Sequence, residues 1–296
     1  MPKARICVFN VEHGFMAFIR APSRATLAID CGLAAHFSPT MYVREKELND
    51  PERQAGYPIS QLVVTHPHDD HIEDIQRLAK WLKPRIIYRQ RYDWEEVEEE
   101  SGGDYANLRE WAKFQEEYNS PVPDPPDWGA MKLTHWGLTV DQARALNERK
   151  FVNNSSIITI VQVGSFKMTF PGDVESDGWL KKLEDDEFCA ALRGTSVFVT
   201  SHHGHSSGYV PQIYDVMGKP WFNLSSIHHG DLGIEGAYST IATARGVQHN
   251  EEPRYSFTTR KDGSCLIEVD EEGRWTFGFY DLGANLPKAT SYGRGW

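Results

Sequence analysis

Hydrophobic residues gather in three short runs near the start of the chain, residues 4–11 (ARICVFNV), 14–21 (GFMAFIRA) and 25–32 (ATLAIDCG), the first entered by alternation. Short runs of this kind joined by turns predict strands, and Pro22-Ser23 supplies the turn between the second and third. The pattern breaks into mixed charge over residues 34–57, a loop or helix, before QLVVTH reads as a buried strand stopped by a histidine-rich turn. Residues 72–82 then place Ile72, Ile75, Leu78, Ala79 and Leu82 at helical spacing. Pro84 ends that helix and RIIY at 85–88 returns as a strand.

Residues 89–137 differ in composition. They hold an acidic run (Glu95, Glu96, Glu98, Glu99, Glu100), a predicted amphipathic helix over 105–118, a proline-rich loop, and Trp94, Trp111, Trp128 and Trp136. This stretch reads as an insertion, with the acidic run as a solvated face and the tryptophans packing it onto the body or, alternatively, stacking on a base or lining an apolar pocket. Beyond it, residues 157–173 predict a hairpin turning at Gly164-Ser165, 179–192 a helix, 196–204 a strand ending in histidines, and 211–218 a helix. A strand from 221, a helix near 238–244 and a hairpin around Glu272-Gly273 complete the chain. Strand–helix alternation of this kind predicts an α/β fold of two sheets with helices outside, a four-layer αββα sandwich, as one domain over residues 1–296.

Composition narrows the function classes. The chain has 296 residues, 25% of them charged, and a formal net charge of −11, which disfavours a broad duplex-binding groove because such grooves draw affinity from Lys and Arg on phosphates. No apolar run approaches the roughly 20 residues of a membrane span, no secretory signal precedes the first strand, and four scattered cysteines form no CxxC pair. A cytoplasmic protein without membrane contact is expected. Twelve histidines in an acidic chain point to metal chemistry.

Their positions carry the point. His66-Pro67-His68-Asp69-Asp70-His71 follows directly on a strand, and three His and one Asp at those offsets arise by accident in roughly one such sequence in a thousand. A tight turn there can aim His66 and His68 at one cation and Asp70 and His71 at another. Asp173 closes a strand at Pro171-Gly172-Asp173, and His202-His203-Gly204 closes a later one. His228-His229-Gly230 is a second HHG, ranked behind the first because the spacing from Asp173 to His203 better fits strand–helix–strand order.

The order HxHxDH, PGD, HHG resembles the metallo-β-lactamase superfamily of metal-dependent hydrolases over about residues 4–279, most of all the branch typified by the hydrolase domain of the DNA-uptake protein ComEC. Asn10-Val11-Glu12-His13-Gly14 loosely matches that branch's opening turn, Ile29-Asp30-Cys31-Gly32 its second motif, Asn153-Asn154-Ser155-Ser156 its NNxS segment and His202-His203-Gly204-His205 its HHGS. Phe15 stands where an acidic residue is usual, and His205 where a serine is common.

The resemblance implies two divalent metals, Zn²⁺ or alternatively Mn²⁺, with His66 and His68 on one, Asp70 and His71 on the other, Asp173 bridging and His203 completing the second. His202 and His203 remain alternatives for that last ligand, His203 being taken because it directly precedes the glycine. Many superfamily members add a histidine before the Asp173 strand pair. Here Asn153 and Asn154 stand in that region, leaving water, substrate or His135 to complete the first metal. Catalytic roles fall to Asp70, orienting a metal-activated hydroxide, and to His202 or His205, holding a phosphoryl oxygen or protonating a leaving group. Asp30 and His13 are expected to support the loops, with Asn153, Asn154 and His229 as further substrate-facing or supporting residues.

The leading expectation is a phosphodiesterase or nuclease acting on a small phosphodiester or short nucleic acid. Hydrolysis of a carboxylic ester, sulfate ester or lactone, or a non-catalytic binding or regulatory module, are the alternatives.

Overall fold

A computed structural model describes residues 3–48, 57–102, 106–122, 124–226, 235–249, 252–283 and 289–295. Its strands, in chain order, begin with β1 (Ala4–Val8), β2 (Ala17–Arg20), β3 (Thr26–Ile29), β4 (Ile59–Val63) and β5 (Pro84–Tyr88). They continue with β6 (Met131–Trp136), β7 (Ile158–Val163), β8 (Phe166–Phe170), β9 (Val197–Val199) and β10 (Phe222–Ser225). The last are β11 (Val247–His249), β12 (Glu252–Arg254), β13 (Ser256–Thr258), β14 (Ser264–Val269), β15 (Trp275–Tyr280) and β16 (Ala289–Gly295).

One sheet runs β16-β15-β14-β1-β2-β3-β4-β5, the other β13-β10-β9-β8-β7-β6, and β11 and β12 pair as a separate ribbon. Both sheets are buried on both faces, and the two-residue period sorts their apolar side chains between layers. Along β1, Ala4, Ile6 and Val8 point into the cluster between the sheets while Cys7 points to the helices outside. Along β7, Val161 and Val163 point between the sheets, while Ile158 and Ile160 meet Trp179 and Phe188 of the helices on the far side. Three apolar clusters therefore separate four layers, and the fold is the αββα sandwich that the strand–helix alternation predicts.

Polarity within the sheets decides where chemistry can collect. β3, β4 and β5 run parallel to one another, as do β8, β9, β10 and β13. The loops after β3, β4, β8, β9 and β10 thus leave from carboxyl ends, where open α/β sheets generally hold their ligands.

The structure departs from the sequence reading in three places. The helix expected over 179–192 is two, Ser176–Lys182 and Asp186–Leu192, because the Asp185 carboxylate accepts from the backbone N–H groups of Glu187 and Phe188 and starts a new helix. In place of a helix near 238–244, a helical turn Glu235–Tyr238 gives way to hydroxyl-bonded turns, with Thr243 Oγ1 donating to the carbonyls of Ala237 and Tyr238. Within the stretch expected to be a loop or helix, residues 39–47 form a short helix Pro39–Tyr42 running into a wider-wound turn Val43–Glu47. The stretch 89–137 ends in β6, an edge strand paired antiparallel with β7, so its last residues belong to the second sheet.

That stretch is packed down. Its helices Trp94–Ser101 and Ala106–Glu116 place Val97, Leu108, Trp111 and Phe114 in the cluster that also holds Ile72, Ile75 and Leu78. Trp94 packs against the same cluster, Trp128 against the inter-sheet cluster and Trp136 against the third. No helix among the described residues is long and apolar enough to cross a membrane. Trp111 is 1% exposed, so Trp111→Ala should cost about 3–5 kcal/mol of unfolding free energy in a urea titration. An unchanged midpoint would mean that residues 106–116 hang off the body instead of bracing it.

Candidate metal centre

Five loops converge at the carboxyl ends of the parallel strands. β4 runs into Thr65 and His66, and the helical turn Asp69–Ile72 begins after His68. The loop after β1 is locked onto this turn: the Phe15 N–H donates to the Asp70 carbonyl at 3.2 Å, and a Cβ at Gly14 (φ +109°) would lie 2.2 Å from that oxygen. Gly172 (φ +61°) lets the loop after β8 pass Thr65 and Ser156, whose Cβ atoms an added Cβ would meet at 2.9 Å. Only glycine fits either place.

Strain collects in the same region. Among the described residues, five non-glycine side chains sit at positive φ, and Glu12, Asp30, His202 and His203 are four of them. Consecutive left-handed histidines are costly and persist where surrounding contacts fix them.

The histidine rings share one plan. In each, one nitrogen is held by an oxygen outside the cluster while the other faces inward. His66 Nδ1 lies 3.2 Å from Thr65 Oγ1, His71 Nδ1 is 2.8 Å from Asp30 Oδ2, His203 Nδ1 is 2.9 Å from Ser226 Oγ, and His68 Nε2 is 2.9 Å from Glu100 Oε2. Inward, His66 Nε2 and His68 Nδ1 stand 3.1 Å apart, His71 Nε2 is 3.3 Å from Asp173 Oδ1, and His203 Nε2 is 3.2 Å from Asp173 Oδ2 and 3.0 Å from Asp70 Oδ2. His202 repeats the plan, with Nδ1 2.8 Å from Ser207 Oγ and Nε2 3.7 Å from Asp173 Oδ2.

Nitrogen and carboxylate donors converge tightly enough for cations in two groups, His66–His71–Asp173 and His13–Asp70–His203, the atoms of each lying within 4.8 Å of one another. The groups adjoin, since His71 Nε2 is also 3.7 Å from Asp70 Oδ2. This donor set, with outward nitrogens already fixed, fits Zn²⁺ or Mn²⁺.

Electrostatics point the same way. Burial alone would drive protons off His71 and His203, yet the Asp173 and Asp70 carboxylates outweigh it, raising His203 to about 9 and His71 well above the ordinary histidine value. Burial would likewise push Asp173 up, but His203 and His71 hold it well below the usual carboxylate range. Buried carboxylates here demand positive charge.

The sequence-derived residues fall into place unevenly. His66, His71, Asp70, Asp173 and His203 come together, but His71 falls into the group of His66 and Asp173, whereas the resemblance puts it with Asp70 and His203. His68 faces His66 from just outside either group. Asp30 is fully buried and accepts from the Thr65 N–H and hydroxyl as well as from His71. His205 flanks His202 with ring centroids 5.2 Å apart. Asn153 and Asn154 are buried against the Asp173 turn: Asn154 Oδ1 accepts from the Glu175 N–H, Asn153 Nδ2 donates to Glu175 Oε1, and Ser156 Oγ accepts from the Asp173 N–H. His135 is engaged elsewhere, with Gln61 and Thr159. His228 and His229 lie outside the described residues.

Sequence reasoning missed three contributors. His13, expected to be structural, reaches the cluster with its ring centroid 5.0 Å from His203. Ser226 follows β10, and its place at a strand end was the available signal. Glu100 was read as part of a solvated face, whereas its side chain is 9% exposed against His68. Phe15, where the resemblance leads one to expect an acid, lies edge-on to Phe170 beneath His71, Asp173 and His203 as an apolar floor.

Fold and site together define a metal-dependent hydrolase scaffold. Residues 11–216 match the model of the metallo-β-lactamase superfamily, and the chain belongs to that superfamily, whose members are generally metal-dependent hydrolases binding divalent metals, typically zinc. No curated protein matches the chain. Among solved structures it is similar to a diphosphatase of the PhnP family (14% identity, 80% of this chain and 90% of that one, TM-score 0.41). It is also similar to an isothiocyanate hydrolase from Delia radicum gut bacteria (11%, 78% and 87%, 0.41) and to an archaeal metallo-β-lactamase superfamily protein from Sulfolobus tokodaii (12%, 71% and 83%, 0.38).

A histidine must shed its proton to ligate a cation, so affinity should fall as pH drops below the raised value near 9 of His203. Calorimetric titration of Zn²⁺ at pH 7 in two buffers of different ionisation enthalpy should register about one to two protons released per chain. Release of none contradicts the electrostatic account.

Proposed function

We propose that this chain hydrolyses phosphodiesters with two divalent ions, Zn²⁺ foremost and Mn²⁺ as the alternative, as a phosphodiesterase or nuclease of the ComEC-like branch. The observation that carries the reading is the adjoining pair of ligand groups, His66–His71–Asp173 and His13–Asp70–His203, with His202 beside them. Held by these groups, two ions would supply Lewis acidity to the attacking and the departing oxygens of an in-line displacement at phosphorus.

The chain's own residues do the rest. Asp70, with a quarter of its side chain open to solvent, is the carboxylate placed to orient a water nucleophile. Burial first, against the pull of Asp173, keeps His202 below the ordinary histidine value and hence neutral at pH 7. A Ser207 hydroxyl donating to Nδ1, 2.8 Å away, would put the proton of His202 on Nε2, ready to bond a phosphoryl oxygen. His205, its ring centroid 5.2 Å from that of His202, would protonate the leaving group. Glu95 and Glu99 remain exposed on the adjacent helix and repel a long polyanion, which favours a small phosphodiester or short nucleic acid.

Purified protein loaded with Mn²⁺ or Zn²⁺ should turn over members of a panel of single-stranded DNA, RNA, cyclic nucleotides and bis-p-nitrophenyl phosphate. Asp70→Ala and His71→Ala should abolish turnover, whereas His202→Ala should keep its metal and lose about 10²-fold in kcat. Activity no higher than in Asp70→Ala, or faster hydrolysis of carboxylic esters, sulfate esters or lactones, would overturn the reading.

A further inference from the structure

The acidic helix Trp94–Ser101 carries an unfavourable arrangement. Glu98, Glu99 and Glu100 occupy its last turn, where the unsatisfied carbonyls already carry negative partial charge. Glu100 is also withdrawn from water, its side chain 9% exposed. A carboxylate buried at the negative end of a helix destabilises a fold unless a partner offsets the loss of hydration. The partner is His68, whose Nε2 lies 2.9 Å from Glu100 Oε2.

That contact has a chemical consequence. A carboxylate can only accept, so Glu100 places the His68 proton on Nε2 and leaves Nδ1 with its lone pair, 3.1 Å from His66 Nε2. Asp30 does the same for His71 from within the sandwich, through the opposite ring nitrogen. Glu100 comes from the stretch 89–137, and the contact is braced on both sides. Val97 of the same helix is buried in the outer cluster, and Asn107 Nδ2 donates to Asp69 Oδ1 at 2.9 Å, next door to His68. The stretch thus grips the HxHxDH turn at two successive residues.

We infer that Glu100 is a positioning residue for the metal centre, fixing the tautomer and orientation of His68 so that His66 and His68 can share one cation. The inference rests on the metal-dependent reading above. It makes the acidic helix part of the centre's construction, and it predicts opposite effects of one substitution on the metal-free and metal-bound states.

The test uses the full chain, stripped by chelation, titrated with Zn²⁺ alone and separately with Co²⁺. Glu100→Gln keeps an acceptor but removes the charge; Glu100→Ala removes both. The metal-free melting temperature of Glu100→Gln should equal or exceed that of the unsubstituted chain, while one of its two Zn²⁺ equivalents binds about 10- to 100-fold more weakly. Glu100→Ala should weaken the same equivalent further, the other equivalent should hold, and the visible Co²⁺ spectrum of the affected site should shift. Unchanged affinities in both variants with two ions still bound would overturn the role of Glu100 and leave the metal reading standing. Lost metal-free stability in proportion to lost affinity would reduce Glu100 to a packing residue and overturn it too. If the unsubstituted chain takes up no divalent ion, both the inference and the reading beneath it fall.

Discussion

A single buried carboxylate organises the site. Asp173 is 4% exposed, and a carboxylate so far from water is tolerable only where positive charge or several hydrogen-bond donors face it. The rings that face it come from both sheets. His66 and His71 follow β4 of the eight-stranded sheet, and His203 follows β9 of the six-stranded one. Every device around it holds those rings in place: glycines where loops cross, oxygen partners on the outward nitrogens, and left-handed backbone at His202 and His203. The strain at those two residues is held by local bonds, the His202 N–H to the Gly172 carbonyl and His203 Nδ1 to Ser226.

Most of the fold was legible because its strands are buried on both faces, and short apolar runs bounded by turn residues are the signal such strands leave in a sequence. The runs at 4–11, 25–32 and 157–173 contain β1, β3, β7 and β8. Misreadings fall where local chemistry overrides periodicity. Asp185 splits an otherwise continuous amphipathic run by capping a new helix, and the hydroxyls of Thr240 and Thr243 draw carbonyls away from helix geometry. β6 was hidden because an edge strand among prolines and tryptophans carries little alternation of its own.

The site was legible to the extent that its residues are neighbours in sequence. HxHxDH and HHG announce themselves, since a cation needs several donors and a tight turn supplies them together. Residues that act from a distance leave no such trace. Glu100 lies in a run of like charges whose default is a solvated surface, and only the packing of Val97 and Trp111 turns it toward His68. The net charge of −11 is reinterpreted by the same contact: part of the acidity is structural, and the carboxylates at the centre create the local demand for cations.

The central claim is that two cations flank Asp173. Diffraction from crystals grown with Zn²⁺, measured on both sides of the zinc absorption edge, tests it directly. The account predicts two anomalous peaks in contact with the Asp173 carboxylate, one shared with the rings of His66 and His71 and within reach of His68, the other with Asp70 and His203. No peak at Asp173, or a single peak elsewhere on the molecule, would contradict it.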